Sequence, residues 1–484
     1  MKLLLKGHDE RYVVEQGMLN LFPGERPVYG PIEGEDSSWA VVELEEAGDT
    51  CRVNTKLCVE GKRGEHTLTA ELSGDDYHRE GQRRRAIGKC FFFAARAVTG
   101  ITPPWGMLTG VRPVKLPTRA MLSGKSPEEA RRQLEEEYLV SPRRAALALD
   151  CAVQSLRASE SLGRDEVSLY VGIPFCPTRC AYCSFISADV TRSLQLLEPF
   201  LACLLREIAA TGEALRRAGR FVRTIYIGGG TPTTLSASQL SALMGALEEH
   251  LDLSHLTEYT VEAGRPDTIT AEKMAALKAG GAGRVSVNPQ TMEDHVLRAI
   301  GRSHTAADIE RAMDTVRAAG LEIVNMDLIA GLPGDSASGF RSSLDRVMAM
   351  GPENITVHTL ALKKGSRLMT ETAEHSGEGA VEEMLSYSDE ALRRAGYAPY
   401  YLYRQKYMSG SFENVGWARP GTENLYNIAM MEELHTVVAL GGGGVTKLVD
   451  SGRIRRIANA KYPYEYINTI DTCIAGKEAL FTQP

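Results

Sequence analysis

The spacing of hydrophobic and polar residues changes near residue 165 of this chain. Before that point, alternating stretches at residues 39–44 and 52–59 predict strands, and helical patterns follow at residues 86–98 and 126–159. We therefore expect residues 1–160 to form an α+β domain, whose role the sequence leaves open.

After residue 165, short β-branched runs alternate with helical patterns. Strands are predicted at residues 168–173, 224–227, 258–262, 284–288, 322–329 and 354–360, and helices at residues 194–218, 237–250, 271–279, 306–319 and 338–350. This alternation indicates a parallel sheet, and its six repeats favour an α/β fold with a six-unit (β/α) open barrel over a complete eight-unit barrel. We place the barrel at residues 165–380 and a C-terminal α+β extension that covers the substrate at residues 381–484.

The charge and composition of the chain indicate which partners and which cellular location to expect. The chain has a formal net charge of −7, and a basic run at Arg83, Arg84 and Arg85 is interpreted as a solvated face. Nucleic acid is not expected as a partner, because nucleic-acid binders usually present a basic surface. The sequence shows neither a signal-peptide pattern nor an apolar run long enough to span a bilayer, so we expect a cytoplasmic protein.

Three of the nine cysteines are clustered directly after the first barrel strand. Cys176, Cys180 and Cys183 stand in a CxxxCxxC spacing, whereas the other six are scattered and are interpreted as small buried apolar side chains. Three thiolates can hold three irons of a [4Fe–4S] cluster and leave the fourth iron open to a ligand. Zinc is the competing interpretation; it usually needs a fourth ligand, which His304 or His358 could supply only through folding.

Polar and glycine-rich motifs follow the later strands at the same end of the predicted barrel, where active sites of parallel barrels lie. A glycine-rich turn lets the backbone approach a ligand closely. A polar cofactor at this end would account for the whole set better than isolated structural hydrogen bonds would. The set comprises Gly228, Gly229, Gly230, Thr231, Pro232, Glu262, Gln290, Arg302 and Asp327.

The cysteine loop resembles the radical S-adenosylmethionine (SAM) superfamily. The phrases LYVGIPFC, IYIGGGTPT and NMDLIAGLPG are similar to one family within it, oxygen-independent coproporphyrinogen III oxidase, and the long N-terminal domain resembles its HemZ-type branch, the coproporphyrinogen dehydrogenases. The resemblance implies that a [4Fe–4S] cluster binds at the three cysteines. It also implies that Gly228–Pro232, Glu262, Gln290, Arg302 and Asp327 contact SAM, and that Tyr170 lies near the reacting groups.

The reaction implied by this resemblance is the oxidative decarboxylation of two propionates of coproporphyrinogen III to vinyl groups in haem biosynthesis. It implies a porphyrinogen substrate, an electron donor such as flavodoxin or ferredoxin, and an electron acceptor. A tetra-anionic substrate would need cations, for which Arg265, Arg404 and Lys406 are candidates, although each is interpreted as an ordinary surface residue.

Two positions differ from the oxidase pattern and leave other functions open. Phe185 stands where the oxidases of the family carry a fourth cysteine, and a phenylalanine there is typical of haem-chaperone relatives. Those chaperones also carry a His-Asn pair, whereas this chain has Glu423 and Asn424. The alternatives are a haem-binding chaperone, or a radical SAM enzyme acting on another substrate such as haem.

Two further C-terminal patterns have both a functional and a structural interpretation. The glycine run at residues 441–444 could close over a substrate or a second SAM, or could form a simple turn. Tyr400, Tyr401, Tyr403 and Tyr407 could stack on a planar macrocycle or could pack within a strand pair.

Overall fold

The computed structural model describes all 484 residues except 35, 184–187, 190–192, 362–365, 370–376, 406–411, 451–452 and 483–484. Phe185, Lys406 and Tyr407 therefore lie outside the described residues. The chain divides into two compact units, Met1–Leu147 and Ala148–Pro484. The division into three domains made from the sequence stays a prediction.

The first unit contains a five-stranded mixed sheet in the order β2-β1-β3-β4-β5. Strand β1 pairs in parallel with both of its neighbours, and β3, β4 and β5 form two antiparallel hairpins. The strands are β1 (Lys2–Lys6), β2 (Val28–Tyr29), β3 (Ser38–Ala47), β4 (Thr50–Val59) and β5 (Lys62–Glu71).

Helices cover one face of this sheet and supply its core. The helices that begin in this unit are α1 (Arg11–Leu21), α2 (Asp76–Thr99), α3 (Lys115–Leu122), α4 (Pro127–Glu137) and α5 (Pro142–Ser161). Phe91 and Phe92 of α2 join alternate residues of β3 and β4 in one buried apolar cluster. The helical pattern predicted at residues 126–159 forms two helices, α4 and α5. Pro142 begins the second helix, because proline is suited to the first turn of a helix and not to its interior. Of the basic run, Arg83 pairs with Glu46 and Arg84 with Glu10.

The second unit contains the six predicted parallel strands, β6 (Glu166–Ile173), β9 (Phe221–Gly229), β10 (Glu258–Gly264), β11 (Arg284–Val287), β12 (Ile323–Ala330) and β13 (Asn354–Thr359). Two further short strands, β7 (Phe175–Cys176) and β8 (Ala188–Asp189), are not predicted from the sequence and pair with each other. Strands β6 and β9 to β13 pair in parallel, each with the next in the chain. All six strands predicted from the sequence are confirmed, and they form an open barrel.

The helices between these strands also follow the predicted pattern to within three residues at each end. They are α6 (Leu197–Arg217), α7 (Ala237–His250), α8 (Ala271–Ala279), α9 (Asp294–Ala299), α10 (Ala306–Ala318) and α11 (Ala337–Ala349). Helix α9 is not predicted from the sequence. It has only six residues, too few for a periodic apolar pattern to be distinguished.

The C-terminal part of the chain extends the same sheet on both edges. Its elements are α12 (Glu378–Arg394), β14 (Ala398–Arg404), β15 (Glu413–Ala418), α13 (Leu425–Glu432), β16 (Val437–Gly441), β17 (Val445–Asp450), β18 (Arg453–Ala458), α14 (Pro463–Asn468) and α15 (Ile470–Thr482). Strand β15 pairs antiparallel with β13 and with β14, while β16 pairs in parallel with β6. The sheet of the second unit therefore has eleven strands and runs from β14 to β18. No helix within the described ranges is both long enough and apolar enough to cross a membrane.

Two glycine-to-alanine substitutions in the first unit should have opposite effects on stability. A Cβ on Gly64 of β5 would lie 2.1 Å from the carbonyl oxygen of Ala94 in α2, whereas a Cβ on Gly81 of α2 would meet nothing within 4 Å. We expect Gly64→Ala to cost about 1–3 kcal/mol through overpacking. We expect Gly81→Ala to stabilise by about 0.5–1 kcal/mol, because alanine favours the helix.

Amide hydrogen exchange along α2 and β5 measures the local free energy of opening in each variant. A local measurement is needed because a chain of two units need not unfold in a single transition. Equal exchange in the two variants would contradict the close approach of β5 and α2.

Candidate functional site

The three clustered cysteines lie at the carboxyl end of β6. Cys180 is buried, and Cys176 and Cys183 are half-buried. The backbone N–H of Ala181 donates to the carbonyl of Ile300 at 2.9 Å, which ties the loop to the end of α9. All three cysteines line a single cavity of about 410 Å³.

Within the described ranges, no group of three or more His, Cys, Asp or Glu side chains is placed to hold a metal ion. A single metal ion would need several side chains around it, whereas each cysteine of a cubane cluster binds its own iron. Of the two histidines considered for zinc, His358 lines the cavity beside Asp327, and His304 is buried outside the cavity wall. Burial, and then the charge of Arg302, lower the pKa of His304 to about 4.

The glycine-rich turn after β9 passes directly beside the first cysteine. A Cβ on Gly230 would lie 2.4 Å from the carbonyl oxygen of Phe175 and 3.0 Å from the Sγ of Cys176. A Cβ on Gly228 would lie 2.9 Å from the carboxylate of Glu262, and Gly229 has a φ of +110°. A larger residue at any of these positions would displace the backbone that approaches the cysteine.

The turn is only partly exposed to the cavity. Gly229, Gly230 and Thr231 line the cavity, and the hydroxyl of Thr231 lies 3.6 Å from the Sγ of Cys176. Gly228 packs behind Glu262, and Pro232 is buried at the start of a short 3-10 turn.

The inside of the barrel supplies the rest of the polar wall. Alternate residues of a strand face the same side, so every second residue of β9 to β13 points inward. These strands and the loops that follow them contribute nine polar residues to the cavity wall. They are Tyr226, Glu262, Asn288, Gln290, Arg302, Asn325, Asp327, Thr356 and His358. The four polar residues predicted from the sequence, Glu262, Gln290, Arg302 and Asp327, thus meet at one place.

Glu262 and Asp327 have opposite electrostatic environments. Burial raises the pKa of Glu262 to about 7, with a smaller contribution from Asp327, although the hydroxyl of Tyr226 donates to its carboxylate at 2.6 Å. Burial also acts to raise the pKa of Asp327, but His358, 3.7 Å from its carboxylate, the amide of Asn325, which donates at 2.7 Å, and the nearby hydroxyl of Thr356 outweigh it and hold that pKa below the ordinary value. Asp327 is therefore stabilised as an anion, and Glu262 is held near its titration point at neutral pH.

Gln290 is held in an uncommon backbone conformation. Its φ is +70°, and its N–H and C=O both bond to β12, at Asp327 and Ile329 respectively, each at 2.9 Å. Non-glycine residues with positive φ are uncommon, and they often mark functional sites. The strand neighbour therefore fixes Gln290 beside Asp327.

Arg302 connects the cysteine loop to the strand ends. Its guanidinium donates to the hydroxyl of Tyr182 at 3.1 Å and to the carbonyl of Asn288 at 3.0 Å. The Nε of Arg302 and the Oδ1 of Asn288 are buried without a hydrogen-bond partner among the described residues. Buried polar atoms without partners are rare, so two of them in one cavity wall favour a polar ligand there. Together with the three thiols and the glycine-rich turn after β9, these polar groups fit an iron–sulfur cluster and SAM.

Tyr170 does not line the cavity. Its ring packs against those of Tyr226 and Tyr426, with a centroid distance of 6.4 Å to each, and those two rings stack on each other at 4.6 Å. Its register partner on β9 is Tyr226, which does line the cavity. The catalytic role expected for Tyr170 stays a prediction. Its ring contacts Tyr226, and a Cβ on Gly229, which lines the cavity, would lie 3.4 Å from its hydroxyl oxygen.

Two of the candidate substrate cations are buried, so the expectation of ordinary surface residues is wrong. Arg265 is 3% exposed and Arg404 is 5% exposed. The guanidinium of Arg265 makes a two-point contact with Asp267 and also donates to Thr178. Arg265 lines the cavity and Arg404 does not. The sequence gives no sign of this burial, because Arg265 directly follows β10 and Arg404 is the last residue of β14, and long side chains at strand ends can turn inward.

Of the tyrosines at residues 400–403, two line the cavity and one is buried in an apolar cluster. Tyr401 and Tyr403 line the cavity, and their rings stack with a centroid distance of 6.3 Å. Tyr400 is buried in an apolar cluster, and its hydroxyl accepts a hydrogen bond from Asn427, which also lines the cavity. Asn424 caps α13 and donates to Thr260, so it acts as a structural residue.

Several cavity residues were not singled out from the sequence. They are Tyr226, Asn288, Asn325 and Thr356, whereas His358 is considered in the sequence only as a zinc ligand. Tyr226, Asn288 and Asn325 each stand two residues before a predicted site residue, and Thr356 stands two residues before His358 on the sixth strand. The period of two along a barrel strand is therefore the signal that would have identified them.

Comparison with known proteins relates this geometry to a family. The model of the radical SAM superfamily matches residues 170–347. The chain is 38% identical to the oxygen-independent coproporphyrinogen-III oxidase-like protein HemZ of Bacillus subtilis, across 96% of this chain and 95% of that protein. It is 30% identical to the heme chaperone HemW of Lactococcus lactis, across 57% of this chain and 69% of that protein. Coproporphyrinogen III oxidase (HemN) from Escherichia coli, a radical SAM enzyme, shares the fold with a TM-score of 0.53 and 24% identity, over 66% of this chain and 72% of that one.

Replacing a clustered cysteine should abolish cofactor binding. We expect Cys180→Ala to lack the broad brown absorbance after anaerobic reconstitution with iron and sulfide, because two thiolates no longer hold three irons. Cys203→Ala, in the buried face of α6, is the matched control and should keep the absorbance. Full iron retention by Cys180→Ala would refute the assignment of the cluster to this loop.

The buried carboxyl of Glu262 should titrate near neutral pH. Because its folded pKa of about 7 lies above the ordinary 4.5, the ligand-free protein should lose stability as pH rises through that window. The loss is at most about 3–4 kcal/mol, since the pKa rises by about 2.5 units and one unit corresponds to about 1.4 kcal/mol. Urea unfolding at several pH values should therefore show a dependence that Glu262→Gln removes.

Tyr226→Phe should move this titration to higher pH, since the tyrosine hydrogen bond lowers the pKa of Glu262. A protonated-carboxyl infrared band that disappears near pH 4 in both proteins would contradict the effect of burial.

Proposed function

Since this chain belongs to the radical SAM superfamily, and within it to the family of oxygen-independent coproporphyrinogen III oxidase-like proteins, we propose that it oxidatively decarboxylates coproporphyrinogen III. The product would be protoporphyrinogen IX, an intermediate of haem biosynthesis. The single observation that carries this proposal is the meeting of three cysteines with Glu262, Gln290, Arg302 and Asp327 in one cavity. The similarity to HemZ along almost the whole chain supports the choice of substrate.

The proposed cofactors would occupy this cavity. Cys176, Cys180 and Cys183 would hold a [4Fe–4S] cluster, which with SAM supplies a carbon radical able to abstract hydrogen from an unactivated carbon. The turn Gly228–Pro232 would offer its backbone to the polar groups of SAM. Glu262, Gln290, Arg302 and Asp327 would orient SAM through hydrogen bonds, and the backbone that fixes Gln290 holds it in position beforehand.

The proposed reaction removes one hydrogen atom, one electron and CO₂ from each of two propionates and leaves a vinyl group. The electron needs an external acceptor, and the cluster needs a donor such as flavodoxin or ferredoxin. Arg179, on the cysteine loop, and Arg302 bring positive charge to the cavity wall, and we propose that Arg179 attracts the anionic propionates. Tyr401 and Tyr403 would pack against the macrocycle.

A haem-binding chaperone is the second candidate. It is supported by the relatives named heme chaperones and by Phe185, and opposed by Glu423 at the position where those chaperones carry a histidine. A haem titration that leaves the Soret band unchanged would exclude it.

The test of the main proposal is anaerobic incubation of the reconstituted protein with SAM, a reductant and coproporphyrinogen III. We expect 5′-deoxyadenosine and vinyl-containing product to form together, and neither to form with Cys180→Ala. Mass spectra distinguish protoporphyrinogen from other products.

Deoxyadenosine without a vinyl product would reject the porphyrinogen substrate and favour a radical enzyme acting on haem or another substrate. Absence of both products, together with tight haem binding, would favour the chaperone.

A further inference from the structure

A buried ion pair lies outside the cavity, between α6 and the C-terminal helix α15. Lys477 donates to Glu207, and the two side chains are 1% and 0% exposed. The carboxylate of Glu207 also accepts from the hydroxyl of Tyr466 at 2.6 Å, the side-chain amide of Asn459 at 2.8 Å and the backbone N–H of Gly441 at 2.8 Å. Burying these two charges costs free energy even though both have hydrogen-bond partners. The proposed chemistry does not use this ion pair.

The bond to Gly441 connects this pair to the glycine run between β16 and β17. Gly441 has a φ of +77°, and a Cβ there would lie 2.2 Å from the carbonyl oxygen of Gly172. The N–H of Gly442 donates to that carbonyl at 3.1 Å, and a Cβ on Gly442 would lie 2.6 Å from the ring of Pro174. Glycine is therefore required for this hairpin to touch the segment that leads to Cys176.

A second route connects the ion pair to the same segment through aromatic rings. Tyr466, which donates to Glu207, packs on Phe200 with a centroid distance of 5.0 Å. Phe200 contacts Phe175 edge-on at 5.3 Å, and Phe175 is fully buried and directly precedes Cys176. Packed aromatic rings transmit displacement because the interior is close-packed.

The opposite side of the segment is held by the glycine-rich turn after β9. The N–H of Gly230 donates to the carbonyl of Ile173 at 2.8 Å, and the N–H of Thr231 donates to the carbonyl of Phe175 at 2.7 Å. The entry segment, residues 172–175, is thus bound on one side by the turn that faces the cavity and on the other by the glycine hairpin of residues 441–444.

We propose that Glu207, held by Lys477, is a positioning residue for the cluster loop. It fixes the glycine hairpin against the entry segment, so that Cys176 is presented to the cluster in one orientation. The glycine run thus supports the cysteine loop from behind. The inference rests on the proposed function, because it concerns the placement of a cluster ligand, but the contacts that carry it belong to the protein alone.

The double variant Glu207→Leu with Lys477→Met tests the inference. It removes both charges together, which avoids leaving one charge buried and unpaired. In the ligand-free protein, we expect amide exchange of the entry segment to accelerate about tenfold, since local opening requires less free energy. In the reconstituted protein, we expect a chelator to remove iron about tenfold faster, because Cys176 is less well oriented.

The matched control is Glu258→Leu with Arg284→Met. This ion pair is also buried, with side chains 10% and 5% exposed, but it joins the amino ends of β10 and β11. We expect this control to leave exchange in the entry segment at the wild-type rate. Equal acceleration in the two double variants would overturn the inference, since Glu207 would then contribute only to general stability.

Gly442→Ala provides a second test with the ion pair intact. Its Cβ pushes against Pro174 and should accelerate exchange of the entry segment, whereas Gly245→Ala in α7, which meets nothing within 4 Å, should not. Unchanged exchange in Gly442→Ala would also overturn the inference. If the wild-type protein bound no iron, the proposed function would fail, and the exchange comparison would still decide whether the hairpin holds the entry segment.

Discussion

The site depends on one geometric constraint, which is that parallel strands end at the same edge and present every second residue to the inside of the barrel. The register pairs Tyr170 of β6 with Tyr226 of β9, and Asp327 of β12 with Thr356 of β13. Residues that are distant in the sequence therefore become neighbours in the wall. The cysteine loop begins at the same edge, so a cofactor bound there would meet side chains from β9, β10, β12 and β13 and from the loop after β11.

This constraint explains how much could be predicted from the sequence. The six strands and the convergence of Glu262, Gln290, Arg302 and Asp327 follow from local periodicity and from the rule about strand ends. The absence of Tyr170 from the cavity wall does not follow, because whether a tyrosine lines a cavity depends on the rings packed against it. The inward turn of Arg265 likewise depends on Asp267 and Thr178, which compensate the cost of burying its charge.

Most of the features that the sequence does not predict arise from contacts between segments that are far apart in the chain. Glu207 and Lys477 are 270 residues apart, and no periodic pattern relates a glutamate on one helix to a lysine on another. The same holds for β16, which pairs with β6 although nearly 270 residues separate their centres. In the sequence the glycines of residues 441–444 indicate only a turn or a close approach. The structure identifies the approach, because the hairpin meets the carbonyl of Gly172.

The two carboxylates in the cavity give the clearest link between packing and chemistry. Glu262 and Asp327 are close enough for the charge of one to raise the pKa of the other, so full ionisation of both is disfavoured. Asp327 accepts a hydrogen bond from Asn325, lies beside His358 and keeps its charge, while Glu262 receives one from Tyr226 and is left near its titration point. Neighbouring groups whose pKa values are driven apart divide their roles. Asp327 is suited to attract a cationic ligand, and Glu262 can accept or donate a hydrogen bond according to what enters the cavity. A cofactor with both a positive charge and hydroxyl groups, as SAM has, would use both properties at once.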